Sequence, residues 1–133
     1  EARERIARCL GARVDEVCFT SGGTEGDNLA VFGPWRARRA GGRRAIVTTP
    51  IEHKAVLAAV HHAAEHGAEE RLAPVDGDGV VDGDAFARLV DERAAVCSVM
   101  WVNNETGVVQ PIAELGERAR AAGAVFHTDA VQA

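Results

Sequence analysis

The stretch "FTSGGTEGDN", residues 19–28, follows an apolar run at Val17–Phe19 and sets three glycines into five positions, 22, 23 and 26, ahead of a segment suited to a helix. Apolar run, glycine turn and helical periodicity predict a strand over Val17–Thr20 leading through the turn into a helix from Thr24. Glycines let the backbone come close to a ligand, the N–H groups at a helix start point outward, and the helix dipole favours an anion there. A phosphate fits such a turn. The stretch matches neither G-x-G-x-x-G nor G-x-x-x-x-G-K-[ST], and a plain turn with Thr24 as N-cap suits the same residues.

Outward from this unit, strand-like and helix-like periods alternate. Ala2–Leu10 places Ile6, Ala7 and Leu10 on one helical face and stops at Gly11. The helix from Thr24 runs towards Arg39, weakened or kinked by Gly33 and Pro34. Ala45–Thr48 predicts a strand, 53–66 a helix, Arg71–Ala73 a strand. "PVDGDGVVDGD" lacks the spacing and terminal glutamate of an EF-hand and predicts turns around a short Val80–Val81 strand. Asp82 or Asp84 caps a helix through Val90, Ala95–Val102 is the longest strand, Ile112–Ala122 a helix and Ala124–His127 a last strand. The apolar runs are short enough for strands buried on both faces, so the fold class is α/β with a largely parallel sheet and flanking helices.

The 133 residues suffice for one domain, and 47% hydrophobic with 26% charged residues describes a globular chain. A net charge of −5 argues against a broad nucleic-acid footprint, and the run Arg36, Arg38, Arg39, Arg43, Arg44 is expected to be a solvated helix end. No apolar run spans a bilayer and no secretory leader pattern is present, which gives a cytoplasmic expectation. Cys9, Cys18 and Cys97 form no C-x-x-C pair, and all three are expected to be buried small hydrophobes. His62 and His66 lie four apart on a helix, Glu65 does not make this H-E-x-x-H, and a solvated face is the expectation.

In parallel sheets ligands bind beyond the carboxyl ends of the strands, and several such ends carry polar groups. His53, in "TTPIEHKAV", can stack on a flat ring or move protons, or simply be a surface histidine. Asn103 and Asn104, in "VNNETGVVQP", are turn formers or donors to a ligand oxygen. Asp129, in "FHTDAVQA", can cap a following helix or pair with a cationic ring nitrogen, with Gln132 three residues on.

The blocks "FTSGGTEGDNLA", "EHKAV", "VNNETGVVQPI" and "HTDAVQ", in this order, resemble the cysteine desulfurases of the pyridoxal-phosphate-dependent class V aminotransferase family, more the branch that supplies sulfur to iron–sulfur clusters than the selenocysteine-lyase-like relatives. The resemblance implies part of the large domain of a fold type I enzyme. It also implies phosphate binding by Gly23 and Thr24, stacking and proton transfer by His53, and contacts from Asn104 and Gln132 to the ring hydroxyl. Asp129 is implied to pair with the ring nitrogen and keep it protonated, which makes the cofactor an electron sink. The implied reaction removes sulfur from L-cysteine: the α-proton is lost, an enzyme thiolate attacks the substrate sulfur, and alanine and an enzyme persulfide result. Implied partners are a sulfur-acceptor or scaffold protein and a second copy in a homodimer.

The family's Schiff-base lysine and persulfide cysteine belong to blocks after the aspartate that have no counterpart up to Ala133, and its N-terminal segment and small C-terminal domain are also unmatched. The chain is therefore expected to be an internal fragment, weakly stable and inactive alone. Lys54, the one lysine, matches a different family position beside His53. Another class V enzyme, such as a selenocysteine lyase or an aminotransferase, or a non-catalytic relative are the alternatives.

Overall fold

The computed structural model describes residues 1–133. Helix α1 spans Ala2–Leu10 and closes at Gly11, whose positive φ of 64° lets its N–H reach back to the last turn. Helix α2, Gly23–Arg38, continues through Pro34. Strand β1 (Ala45–Thr48), helix α3 (Lys54–Glu65), strand β2 (Glu69–Leu72), helix α4 (Gly83–Leu89), strand β3 (Ala94–Ser98), helix α5 (Ile112–Ala121) and strand β4 (Val125–His127) follow. No helix is long and apolar enough to cross a membrane.

The four strands form one sheet in the order β2-β1-β3-β4, every pair parallel. Alternate side chains serve opposite faces. Val47 and Cys97 join Phe86, Leu115 and Ala119 beneath α4 and α5, whereas Ile46 and Val96 join Val31, Trp35, Val56 and Val60 beneath α2 and α3. Both faces are covered, which is why β1 and β3 read as unbroken apolar runs. From β1 the chain winds outward to β2, and from β3 it winds the other way to β4. The crevice between β1 and β3 is thus a topological switch point.

Several expectations are corrected. Val17–Thr20 is not a strand: Val17 is extended (φ −95°, ψ 116°), yet the stretch makes no backbone hydrogen bond to the sheet, and Phe19 is exposed. The long strand ends at Ser98, where β1 has no further residue to pair; Val99 and Trp101 still donate to the carbonyls of His127 and Asp129. Val81 makes one isolated bridge to Val75 around a turn in which Asp76 Oδ1 accepts from the N–H groups of Asp78 and Val80. Cys97 is buried, but Cys9 and Cys18 are exposed: Cys9 lies on the outer side of α1, where only Ala7 is buried, and Cys18 in the unpaired stretch.

The arginine run is more than a solvated helix end. Arg36 and Arg39 lie over the rings of Phe32 and Trp35, Arg38 donates to the Gly123 carbonyl, and Arg43 donates to those of Ala94 and Ala122.

Candidate functional site

The carboxyl ends of β1, β3 and β4 and the start of α2 enclose a cavity of about 290 Å³. All six residues singled out in the sequence, Gly23, Thr24, His53, Asn104, Asp129 and Gln132, line it. They come from four separate segments, so the fold alone brings them together.

At the α2 end, Gly22 occupies the cap position and no side chain caps the helix. Thr24 is therefore not the N-cap; it sits in the first turn. The N–H groups of Gly23, Thr24 and Glu25 have no protein acceptor. Glu25, the one acidic residue of this turn, accepts from both the hydroxyl and the backbone N–H of Ser21, each at 2.6 Å, and these bonds hold its carboxyl below the usual range. It does not line the cavity. Three unpaired donors at a positive helix end, with no anion of the protein on them, can bind an anion. A Cβ added at Gly23 would meet only Val131, at 3.7 Å.

His53 caps α3 with its own ring: Nδ1 accepts from the Ala55 N–H at 3.2 Å. An accepting Nδ1 puts the proton of the neutral ring on Nε2 and fixes the ring's orientation towards the cavity. Asn103 takes the turn-forming role, and Asn104 does not. Buried Asn103 builds the turn, its Oδ1 accepting from the N–H groups of Glu105 and Thr106 and its Nδ2 donating to the Ile51 carbonyl. The exposed Asn104 amide has no protein partner and faces the cavity. Asp129 likewise serves twice: Oδ1 accepts from the Val131 N–H at 3.0 Å, and Oδ2 is left without a protein partner. The Asp129 bond to the Val131 N–H closes a turn at 131–132.

Sequence reasoning missed the acids around this aspartate. Asp27 lines the cavity and is 6% exposed; burial first, then the Asp129 charge, raises its pKa, while His53 opposes the rise. His127 reaches towards it, Nε2 lying 3.8 Å from Asp27 Oδ1 while Nδ1 pairs with Ser98 Oγ at 2.9 Å. Burial lowers the His127 pKa against the pull of Asp129. Glu52 lies under the floor: Oε1 accepts from Thr49 Oγ1 (2.7 Å) and the Met100 N–H (3.0 Å), and Oε2 is buried without a partner. Burial above all, helped by Asp129 and Asp27, pushes its carboxyl up to about 7. Both acids lie inside the quoted blocks, but nothing in one sequence distinguishes a buried carboxylate from a solvated one.

Lys54 is exposed and borders an adjoining hollow with Glu105 and Thr106 rather than the cavity. Cys97 is buried within β3 and its thiol is pushed up to about 12, unsuited to a nucleophile.

The aminotransferase class-V family model matches residues 1–133. A cysteine desulfurase of Cereibacter sphaeroides is 47% identical over 99% of this chain and 34% of its own length. An IscS-like cysteine desulfurase of Mycobacterium tuberculosis is 49% identical over the whole of this chain and 35% of its own. The crystal structure of DndA from Streptomyces lividans superposes with a TM-score of 0.93 at 40% identity, covering 98% of this chain and 37% of that one. The chain thus spans about a third of the length of the curated relatives it matches.

Proposed function

Because the chain belongs to the class V aminotransferase family, we propose that it forms the cofactor-binding part of a pyridoxal-phosphate-dependent cysteine desulfurase acting on L-cysteine. The observation that carries this reading is that one cavity holds two groups of opposite polarity: the free helix N-terminal donors at Gly23 and Thr24 and the unpartnered Asp129 oxygen, with His53 lining it too. An anionic phosphate and a cationic ring nitrogen need those two groups, so the residues fit the cofactor.

When bound, the cofactor supplies an electron sink for the α-carbon of an amino acid. The Gly23 and Thr24 amides would hold the phosphate. The Asp129 carboxylate would hold a proton on the ring nitrogen, and the Asn104 and Gln132 amides would donate to the ring hydroxyl. His53, its Nδ1 engaged, offers a flat face for stacking and Nε2 for moving a proton. Asp27 lies close enough to feel the Asp129 charge, and the low polarity that raises the pKa values of Asp27 and Glu52 strengthens the pairing of Asp129 with a cation. The Schiff-base lysine and the thiolate that receives the sulfur are assigned to parts of a longer protein. A sulfur-acceptor protein, a homodimer and a cytoplasmic setting complete the proposal.

The test is the longer protein carrying this segment. It is expected to purify yellow with bound cofactor and to release alanine from cysteine. A colourless, cofactor-free protein would overturn the reading.

A further inference from the structure

Away from the cavity, His62, Glu65 and His66 stand together on the exposed end of α3, with a ligand atom from each within 4.8 Å of the others. We propose that they form a binding site for a divalent transition-metal ion of the zinc type, separate from the cofactor cavity.

Spacings of three and four residues put the side chains on one helical face, with only Ala63 and Ala64 between them. His62 Nδ1 lies 3.4 Å from Glu65 Oε2. A tetrahedral zinc with bonds near 2.0–2.1 Å sets its ligand atoms roughly 3.3 Å apart, so this pair is already spaced for one ion. His66 is fixed differently. Its Nδ1 lies 2.8 Å from the His62 carbonyl oxygen, which can only accept, so Nδ1 carries the proton and Nε2 presents a bare lone pair. A backbone carbonyl holding the far ring nitrogen is the usual support of a metal-binding histidine.

The remaining surroundings act on the same face. The Phe32 ring meets His62 edge-on, with centroids 5.7 Å apart, and the two imidazoles stand 4.3 Å apart, so both rings are confined before any ion arrives. The site sits at the C-terminal, negative end of a 12-residue helix, where cations are favoured. Arg39 and Arg44 border a hollow beside His66 and oppose this, which makes the Glu65 carboxylate the charge that balances them. Two imidazoles and one carboxylate select zinc, nickel or copper over magnesium and calcium, which require oxygen ligands throughout. The order His-x-x-Glu-His occurs in zinc hydrolases with the histidines on the metal. Here all three groups are exposed, and the hollow beside His66 adds only Arg39, Ala40, Arg44 and Gly67, none of them an acid or a base for activating water, so the structure assigns binding and not hydrolysis.

The experiment titrates the longer protein carrying this segment with zinc chloride alone by calorimetry. One saturable site is expected, weakened about tenfold or more in His62→Ala and in His66→Ala. Glu65→Gln should weaken it less, copper should bind more tightly than zinc, and magnesium should not compete. His61→Ala is the control: His61 is exposed on the same helix but faces Glu70, at 3.8 Å, and its loss should leave binding unchanged. All four side chains are exposed, so far-ultraviolet circular dichroism of the variants should match the parent. Absence of a saturable site, equal weakening by His61→Ala, or full retention in His66→Ala would overturn the proposal.

Discussion

Asp129 and Glu52 are both carboxylates near one cavity, and their surroundings give them opposite work. Asp129 has one oxygen on a backbone N–H and one free, the state needed to hold a proton on a cationic ring. Asp129→Ala in the longer enzyme should lower kcat about a hundredfold or more even when cofactor is retained, a loss typical of removing a pre-set charge partner. Near-normal turnover would refute the pairing. Glu52 instead is favoured neutral, with a pKa of about 7 against an ordinary 4.5. A pKa raised by folding contributes stability that is fully present below the unfolded value and is lost as pH rises through the folded one. Stability should therefore fall by about 1 kcal/mol between pH 6.5 and 8. Glu52→Gln, which keeps the acceptor for Thr49 and Met100, should flatten that fall in urea melts. His127, whose pKa is lowered, acts with the opposite sign and chiefly below pH 6.5, outside this window.

At the scale of elements, α2 has two duties that fall on different turns. Its first turn leaves three N–H groups free for a ligand, and its later turns bury Val31 and Trp35 against β1, β3 and α3. Because the uncapped start is costly, the helix depends on its packed half. Trp35→Ala should cost about 3–5 kcal/mol, measured as the shift in the denaturation midpoint. A smaller loss would mean that the cavity lined by α2 is held by other contacts. Strand β3 shows the same economy: five residues are packed on both faces, and the chain then leaves the sheet to place Asn103 in the turn and Asn104 in the cavity.

For the whole molecule, Leu10, Val14, Phe19, Leu29 and Val131 leave apolar surface open on α1, the 14–20 stretch, α2 and the last residues. Uncovered apolar surface of this kind promotes association. The chain by itself should melt broadly and self-associate as concentration rises, checked by calorimetry and sedimentation. A sharp melt independent of concentration would contradict this.

The amino-acid order determined the parallel α/β class, because short apolar runs separated by helical periods admit few other packings, and it marked Gly23, Thr24, His53, Asn104, Asp129 and Gln132 as strand-end or helix-start residues. Those assignments rest on local chemistry, on glycine turns, caps and the period of hydrophobicity, which one sequence carries. Tertiary structure decided what depends on distant neighbours. Val17–Thr20 has strand composition and no ladder, since a strand is defined by the chain beside it. Asn103 and Asn104 are the same residue type at adjacent positions, and the bonds of Asn103 to the Glu105 and Thr106 N–H groups and to the distant Ile51 carbonyl separate turn former from free amide. Glu52 looks like any acidic residue until Thr49, Met100 and the sheet close over it, and burial is a property of that enclosure and not of the side chain.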